Sequence, residues 1–276
     1  MTDRFTFAIV GHDEELSLPY AVAMAQGAAQ PGDSVWFVDS ASTDGSVGVA
    51  RSLGVEVVDA PLGKGRAMQV AFDRCRDEFV CFIDADYGES AVNIPEQLRQ
   101  ATAGSDHDMV VGAFTEPARR RTLTPGLYLP LVHALFPEID TAAHLVPLSG
   151  FRVLRTSFPF GRFPPGYGVE AHLNIQGVLA GGRVTVSPVG YFRGDLRNYR
   201  NVVEVGRDVT ATILDLAIER QRIDRADRPA WQAWIDAVFD HISTQPPVGA
   251  DDAEFLRTLL EVASRPMPAV RTPLLH

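Results

Sequence analysis

Three features of the sequence predict an α/β fold with a mostly parallel sheet, helices on both of its faces and a helical region after it. Short, continuous apolar runs alternate with helix-patterned segments between Phe5 and Phe114. Acidic residues stand at the carboxyl ends of several of those runs. From Val202 onward the apolar positions recur only at helical spacing. Strands buried on both faces lose the apolar/polar alternation of a half-exposed sheet, and helices between them supply the crossovers that parallel pairing needs.

Phe5 to Val10 is too short for a helix and is bounded by polar residues, so it reads as a strand. Leu16 to Ala29 is rich in Ala and Met and reads as a helix, stopped near Pro31-Gly32. Ser34 to Val38 is a second strand ending at Asp39, and Ser42-Thr43-Asp44 can cap a helix running to about Leu53, before Gly54. Val55 to Val58, Arg66 to Arg76 and Phe79 to Ile83 continue as strand, helix and strand, the last leading into Asp84-Ala85-Asp86. A helix is expected around Ile94 to Ala103 and a strand over Met109 to Phe114. Thr115 to Ser149 is punctuated by Pro125, Pro130, Pro137 and Pro147 and reads as an irregular surface excursion. Regular structure resumes with a strand at Phe151 to Leu154, a helix over Gly168 to Leu179 and strands at Arg183 to Ser187 and Val189 to Phe192. Trp231, Trp234, Ile235, Val238, Phe239 and Ile242 form one apolar helical face, and Phe255, Leu256, Leu259, Leu260 and Ala263 another. The expected division is 1–198 as the main domain (split into 1–114 and 115–198), 199–265 as a helical region and 266–276 as a frayed tail.

The 276 residues carry 35 acidic against 25 basic side chains, a net charge of −10. Such a chain, without a basic stripe, makes a poor nucleic-acid binder, because phosphate neutralisation dominates that affinity. No run reaches the ~20 apolar residues of a membrane span, and the N-terminal segment turns polar at Gly11-His12-Asp13-Glu14-Glu15, so no signal-peptide core is expected. Cys75 and Cys81 fit neither a disulfide framework nor a zinc pattern, and a cytoplasmic setting is expected. Surplus apolar helix faces point to a homodimer.

Asp84-Ala85-Asp86 is the strongest chemical signal. In extended backbone, residues two apart share a side, so two carboxylates at a strand end can face one ligand and hold Mg²⁺ or Mn²⁺ with a diphosphate. An ordinary solvated strand end is the alternative. Gly63-Lys64-Gly65 opens a helix, which suits an anion, yet the spacing of a P-loop is missing and a plain turn fits equally. Gly166-Tyr167-Gly168-Val169-Glu170-Ala171 formally fits a dinucleotide fingerprint but follows Pro164-Pro165 instead of a strand. Its useful residue is Glu170, at a helix start, as a dipole partner, a substrate ligand or a base. His12, His133, His144 and His172 have no metal-ligand spacing, and Arg119-Arg120-Arg121 is a solvated run or an anion contact.

In combination these segments resemble the GT-A-fold, family-2-like glycosyltransferases over residues 5 to 200. Asp13-Glu14-Glu15 is similar to an Asn-Glu-Glu of that group, and Val38-Asp39-Ser40-Ala41-Ser42-Thr43-Asp44 to its nucleotide-holding segment. Gly-Lys-Gly at Lys64 and the DxD motif at Asp84-Ala85-Asp86 complete the donor half, while Pro147-Leu148-Ser149-Gly150 and Gly166 to Glu170 resemble a retaining branch. The resemblance implies that Glu14, Asp39 and Ser40 contact a uridine, Lys64 the pyrophosphate, Asp84 and Ala85 the ribose side of the donor, and Asp86 the metal. It further implies that Leu148 offers its carbonyl near the reacting sugar carbon, that Glu170 binds donor-sugar hydroxyls, and that Thr115, Ser149 and Gly150 meet the acceptor. The expected donor is a UDP-sugar, UDP-glucose first, and the expected acceptor a small polar molecule.

Two departures stand out. The branch's metal-binding histidine is missing from Gly190 to Asn198, where Asp195 is the available oxygen ligand. Its acceptor-phosphate arginine is missing from Gly112-Ala113-Phe114-Thr115, which removes the natural bidentate partner of a phosphate. The rival readings are an inverting transferase with Glu170 as base, a sugar-nucleotide nucleotidyltransferase, and a degenerate nucleotide-binding protein.

Overall fold

The structure, a computed structural model, describes residues 3–88, 92–114, 123–139, 148–190, 202–244 and 252–271. Thr115, Arg119 to Arg121, His144 and Asp195 lie outside the described residues, as do Tyr191 and Phe192 of the strand expected from Val189. Seven described strands form one sheet: β1 (Phe5–Gly11), β2 (Ser34–Ser40), β3 (Glu56–Ala60), β4 (Phe79–Asp84), β5 (Met109–Ala113), β6 (Arg152–Arg155) and β7 (Val184–Pro188), in the order β3-β2-β1-β4-β6-β5-β7. Pairing is parallel except at β6, which runs antiparallel between β4 and β5 with Phe82 opposite Arg152. The fold class is therefore as expected, with one reversed strand.

Helices α1 (Leu18–Ala28), α2 (Ser46–Ser52), α3 (Lys64–Arg74), α4 (Ile94–Thr102) and α6 (Val169–Leu179) cover the sheet, while α5 spans Leu129–Leu135. One core layer gathers Phe5, Phe7, Ile9, Leu18, Phe37 and Ile83, and the other Ala8, Val38, Met68, Phe82, Leu154 and Leu173. Adjacent β1 residues thus feed opposite layers, which is why both faces read as apolar.

Several boundaries differ from the sequence expectation. Helix α1 starts at Leu18, with Pro19 in its first turn, where a missing N–H costs nothing. The N-cap of α2 is Gly45, and Asp44, one position before it, accepts from the first helical amide, that of Ser46, at 2.9 Å. Strand β7 ends at Pro188, and Gly190 turns away at φ 85°. The expected irregular excursion holds ordered helix instead: a π-helical turn at Thr124–Tyr128 runs into α5. Pro125 and Pro130 each sit at the start of these segments, where proline is tolerated, so they punctuate the helix without breaking it.

Contacts divide the chain into two compact units, Met1–Thr115 with Ala143–Arg197, and Glu116–Ala142 with Asn198–His276. The described residues 123–139 belong to the second of these units. In this second unit α7 (Val202–Glu219), α8 (Arg228–Thr244) and α9 (Asp252–Ala263) pack with one another and with the 124–135 helix. Trp231, Ile235, Val238, Phe239, Leu259 and Ala263 are buried there. The apolar faces from which a homodimer was expected are thus largely covered within the chain itself, and only Leu260 stays exposed on that stripe among the described side chains. Among the described residues, no helix is long and apolar enough to cross a membrane.

Candidate active site

In a parallel sheet the loops that follow the strands converge at one edge, and here the loops after β1 and β2 are laced together. The Asp13 carboxylate accepts from the Thr43 amide at 2.6 Å and the Asp44 amide at 3.2 Å. Asp44 accepts from the Glu15 amide, and Glu15 from the Gly45 amide at 2.9 Å. Asp13 and Ala41 hold φ of 55° and 60°, a left-handed conformation that side chains other than glycine take at a cost. Backbone donors, first that of Thr43, hold the Asp13 carboxyl below the usual aspartate range. Beneath this lattice, Asp39 accepts from the Ser42 amide at 3.1 Å, and the Ser40 hydroxyl accepts from the Gly63 amide at 2.9 Å. The last contact ties the end of β2 to the start of α3.

The glycines around Lys64 have a packing reason. A side chain on Gly65 would overlap the Pro164 carbonyl, and one on Gly63 would stand 2.5 Å from that of Pro165. Gly63 also holds φ 129°, and the Arg66 amide donates to Pro165 at 3.2 Å. Glycine thus lets the first turn of α3 lie directly on Pro164 to Gly166, the segment that leads into α6. Lys64 Nζ consequently stands 2.8 Å from Asp84 Oδ1 and 2.6 Å from Glu170 Oε1. Burial opposes the Lys64 charge, but the two carboxylates outweigh it and push its pKa above the ordinary lysine value.

Asp84, at the end of β4, also lies against Gly150, where any side chain would collide with its carboxylate. Ala85 faces inward, 1% exposed, and a methyl on Gly11 would come within 2.6 Å of its Cβ. The two acids thus flank a small buried residue, but β4 ends at Asp84 and Ala85-Asp86 form a turn, so it is the turn and not the alternation of extended backbone that places Asp86. Asp86 has its pKa pushed up to about 6, by burial first, then by the Asp84 charge, with Glu14 adding to it and Lys64 opposing. No group of three His, Cys, Asp or Glu side chains able to cage a metal occurs among the described residues. Mg²⁺ and Mn²⁺ with a nucleotide need no such cage, since one or two carboxylates plus phosphate oxygens suffice, so the donor set fits a divalent ion arriving with a diphosphate.

The structure thus brings together Glu14, Asp84, Asp86, Lys64 and Glu170, and it places Asp39 and Ser40 in the adjoining loop base. Leu148 is half-buried, and Ser149 and Gly150 are buried next to Asp84. Thr115 and Asp195 fall outside the described residues. His172 binds the Phe160 carbonyl at 3.0 Å from its buried ring, in keeping with a structural role. Two contributors escaped the sequence reading. The Pro164 to Gly166 segment is a backbone platform without distinctive side chains. Arg152 is 0% exposed, and the sole signal was an arginine inside an apolar strand, Phe151-Arg152-Val153-Leu154.

With this geometry in place, comparison defines the class. Residues 6–137 match the model of glycosyl transferase family 2, just under half of the chain, and this segment carries β1 to β5, Lys64 and the Asp84 to Asp86 edge. The matched segment is that of a family-2 glycosyltransferase domain, and the fold is of GT-A type. Among solved structures the chain is similar to glucosyl-3-phosphoglycerate synthase from Mycobacterium tuberculosis, with 24% identity over 77% of this chain and 80% of that one and a TM-score of 0.67. The same enzyme in complex with Mn²⁺, UDP and phosphoglyceric acid gives 23% identity, 78% of each chain and a TM-score of 0.69. Its complex with Mg²⁺ and UDP gives 24%, 77% and 79%, with 0.67. No curated protein matches the sequence.

Proposed function

We propose that this chain transfers a hexose, glucose in our reading, from a uridine diphosphate sugar to a hydroxyl of a small soluble acceptor, with Mg²⁺ or Mn²⁺ and with retention at the anomeric carbon. The observation that carries the reading is Lys64 bound to both Asp84 and Glu170 beside a proton-hungry Asp86, at the strand edge where ligands of open α/β sheets bind. The similar mycobacterial enzyme has been crystallised with Mn²⁺ and UDP-glucose, which supports the choice of donor.

In this reading Asp86 holds the cation, whose role is to neutralise charge developing on the departing diphosphate, and Asp84 and Ala85 meet the ribose side of the donor. Asp195 is the further oxygen ligand. Lys64 exchanges a carboxylate partner for a phosphate oxygen, Glu14, Asp39 and Ser40 receive the nucleoside, and Glu170 orients sugar hydroxyls. The Leu148 carbonyl faces the reacting carbon, with Thr115, Ser149 and Gly150 on the acceptor side. The acceptor is neutral. At the end of β5 the chain has Ala113 and a buried Phe114, whose ring lies 5.6 Å from that of Phe151, in place of a guanidinium. Both cysteines are free and buried, which fits a reducing compartment, and we place the protein in the cytoplasm. Dimer formation is left out of the proposal, since the faces that suggested it are covered.

The test is incubation with UDP-glucose, Mn²⁺ and a panel of neutral polyols and sugars, reading UDP release and product configuration. Acceptor-dependent UDP with an α-linked product is expected. Release without acceptor dependence, or none from any sugar nucleotide, overturns the reading, and a β-linked product overturns retention.

A further inference from the structure

We propose that Arg152 is a positioning residue, a buried clamp that fixes the Leu148–Gly150 turn relative to the start of α6 and so sets the two sides of the reaction site against each other. The proposal rests on the transferase reading above. Arg152 opens β6, the one reversed strand, so its side chain rises at the edge where β4 ends. Its Nε and Nη2 both donate to the Ser149 carbonyl, at 3.0 and 2.5 Å. Its Nη1 reaches Asn174 Oδ1 at 3.3 Å and the Glu170 carbonyl at 3.5 Å, both on α6. A guanidinium offers five N–H groups in a planar fork, so its two edges can hold two segments at a fixed angle, which an ammonium cannot do.

The two segments held are the ones that carry chemistry in this reading. Gly150, one residue after the clamped carbonyl, abuts the Asp84 carboxylate. Glu170, whose own carbonyl is clamped, extends its side chain to Lys64. Polar side chains of this size are seldom fully buried unless their donors are used, and here they reach the Ser149 and Glu170 carbonyls and the Asn174 side chain. A shift between the walls of a reaction site changes the attack geometry far more than it changes donor binding.

The experiment compares the parent with Arg152→Gln and Arg152→Lys. Hydrogen exchange is followed by mass spectrometry, and kcat is expressed per molecule able to bind UDP with Mn²⁺. Exchange is expected to rise in peptides covering 148–151 and 169–174 while those covering 5–11 and 34–40 stay as in the parent. Transfer should slow roughly a hundredfold with donor KM changed by less than about threefold, and Lys should rescue little. Uniformly raised exchange with an unchanged kcat per binding-competent molecule overturns the proposal, since that is a purely structural effect. Should Arg152→Gln fail to fold, Asn174→Ala decides: loosening of the same two segments with a roughly tenfold slower transfer supports the clamp, and parent-like exchange contradicts it. If the parent itself turns over no sugar nucleotide, the transferase reading fails, while the exchange pattern still decides the clamp.

Discussion

Where β1, β2 and β4 begin, carboxylates are met by guanidiniums. Arg99 meets Asp33, both side chains almost fully buried, and its guanidinium lies 4.6 Å over the Phe5 ring. Arg155 meets Glu78 and Asp108 and lies 4.5 Å over Phe79. Where the same strands end, the balance differs: Asp84 and Glu170 share the ammonium of Lys64, whose charge also bears on Asp86, and the nearby guanidinium of Arg152 donates to backbone carbonyls and Asn174. A matched pair is self-sufficient, whereas Asp86, buried and beside the Asp84 charge, has its proton affinity raised, which favours a positive ligand there. One end of the sheet is held together by its charges, and the other is held ready.

The largest effect expected from breaking this contrast is at Asp86. Asp86→Asn should slow transfer about a thousandfold, several kcal/mol of lost electrophilic stabilisation. The same change should stabilise the metal-free protein. The folded pKa of about 6 lies above the ordinary 3.8, so folding binds a proton between these values and stability declines as pH rises through them. Removing the group should recover up to ~3 kcal/mol at pH 7.5 in urea unfolding. A variant both inactive and less stable would mean that Asp86 is structural.

At the opposite end, Arg99→Met should cost ~3 kcal/mol by stranding Asp33, with kcat per folded molecule unchanged. A drop in kcat there would erase the distinction between the ends. Next in size is a proton–metal competition: divalent-cation affinity, measured by calorimetry, should fall roughly tenfold per pH unit below about 6 and level off above it. The smallest effect is expected in the loop lattice, where Glu15→Ala should lose ~1 kcal/mol of stability with the hydrogen bond to the Gly45 amide. A larger loss would show the lattice to be cooperative.

Much of this was legible in the sequence, because parallel strands buried on both faces announce themselves as apolar runs, and the acids at their ends mark the ligand edge. Lys64 and Glu170 were visible as residues, but their meeting was not, since it depends on Gly65 packing on the Pro164 carbonyl from a hundred positions away in the chain. Arg152 was illegible for a related reason: its partners are mostly carbonyls, which carry no sequence signature. The helix at 124–135 was missed because prolines were read as breakers, although a first-turn position neutralises them. The apolar faces of α8 and α9 were legible, but what covers them was not, a distinction that periodicity alone cannot make.

The central claim is that the acidic strand edge accepts a nucleotide diphosphate only together with a divalent cation. Calorimetric titration of the intact protein with UDP, once with Mn²⁺ and once with excess chelator, tests it most directly. Saturable binding with Mn²⁺ and none with chelator is predicted; equal affinity in both would contradict it.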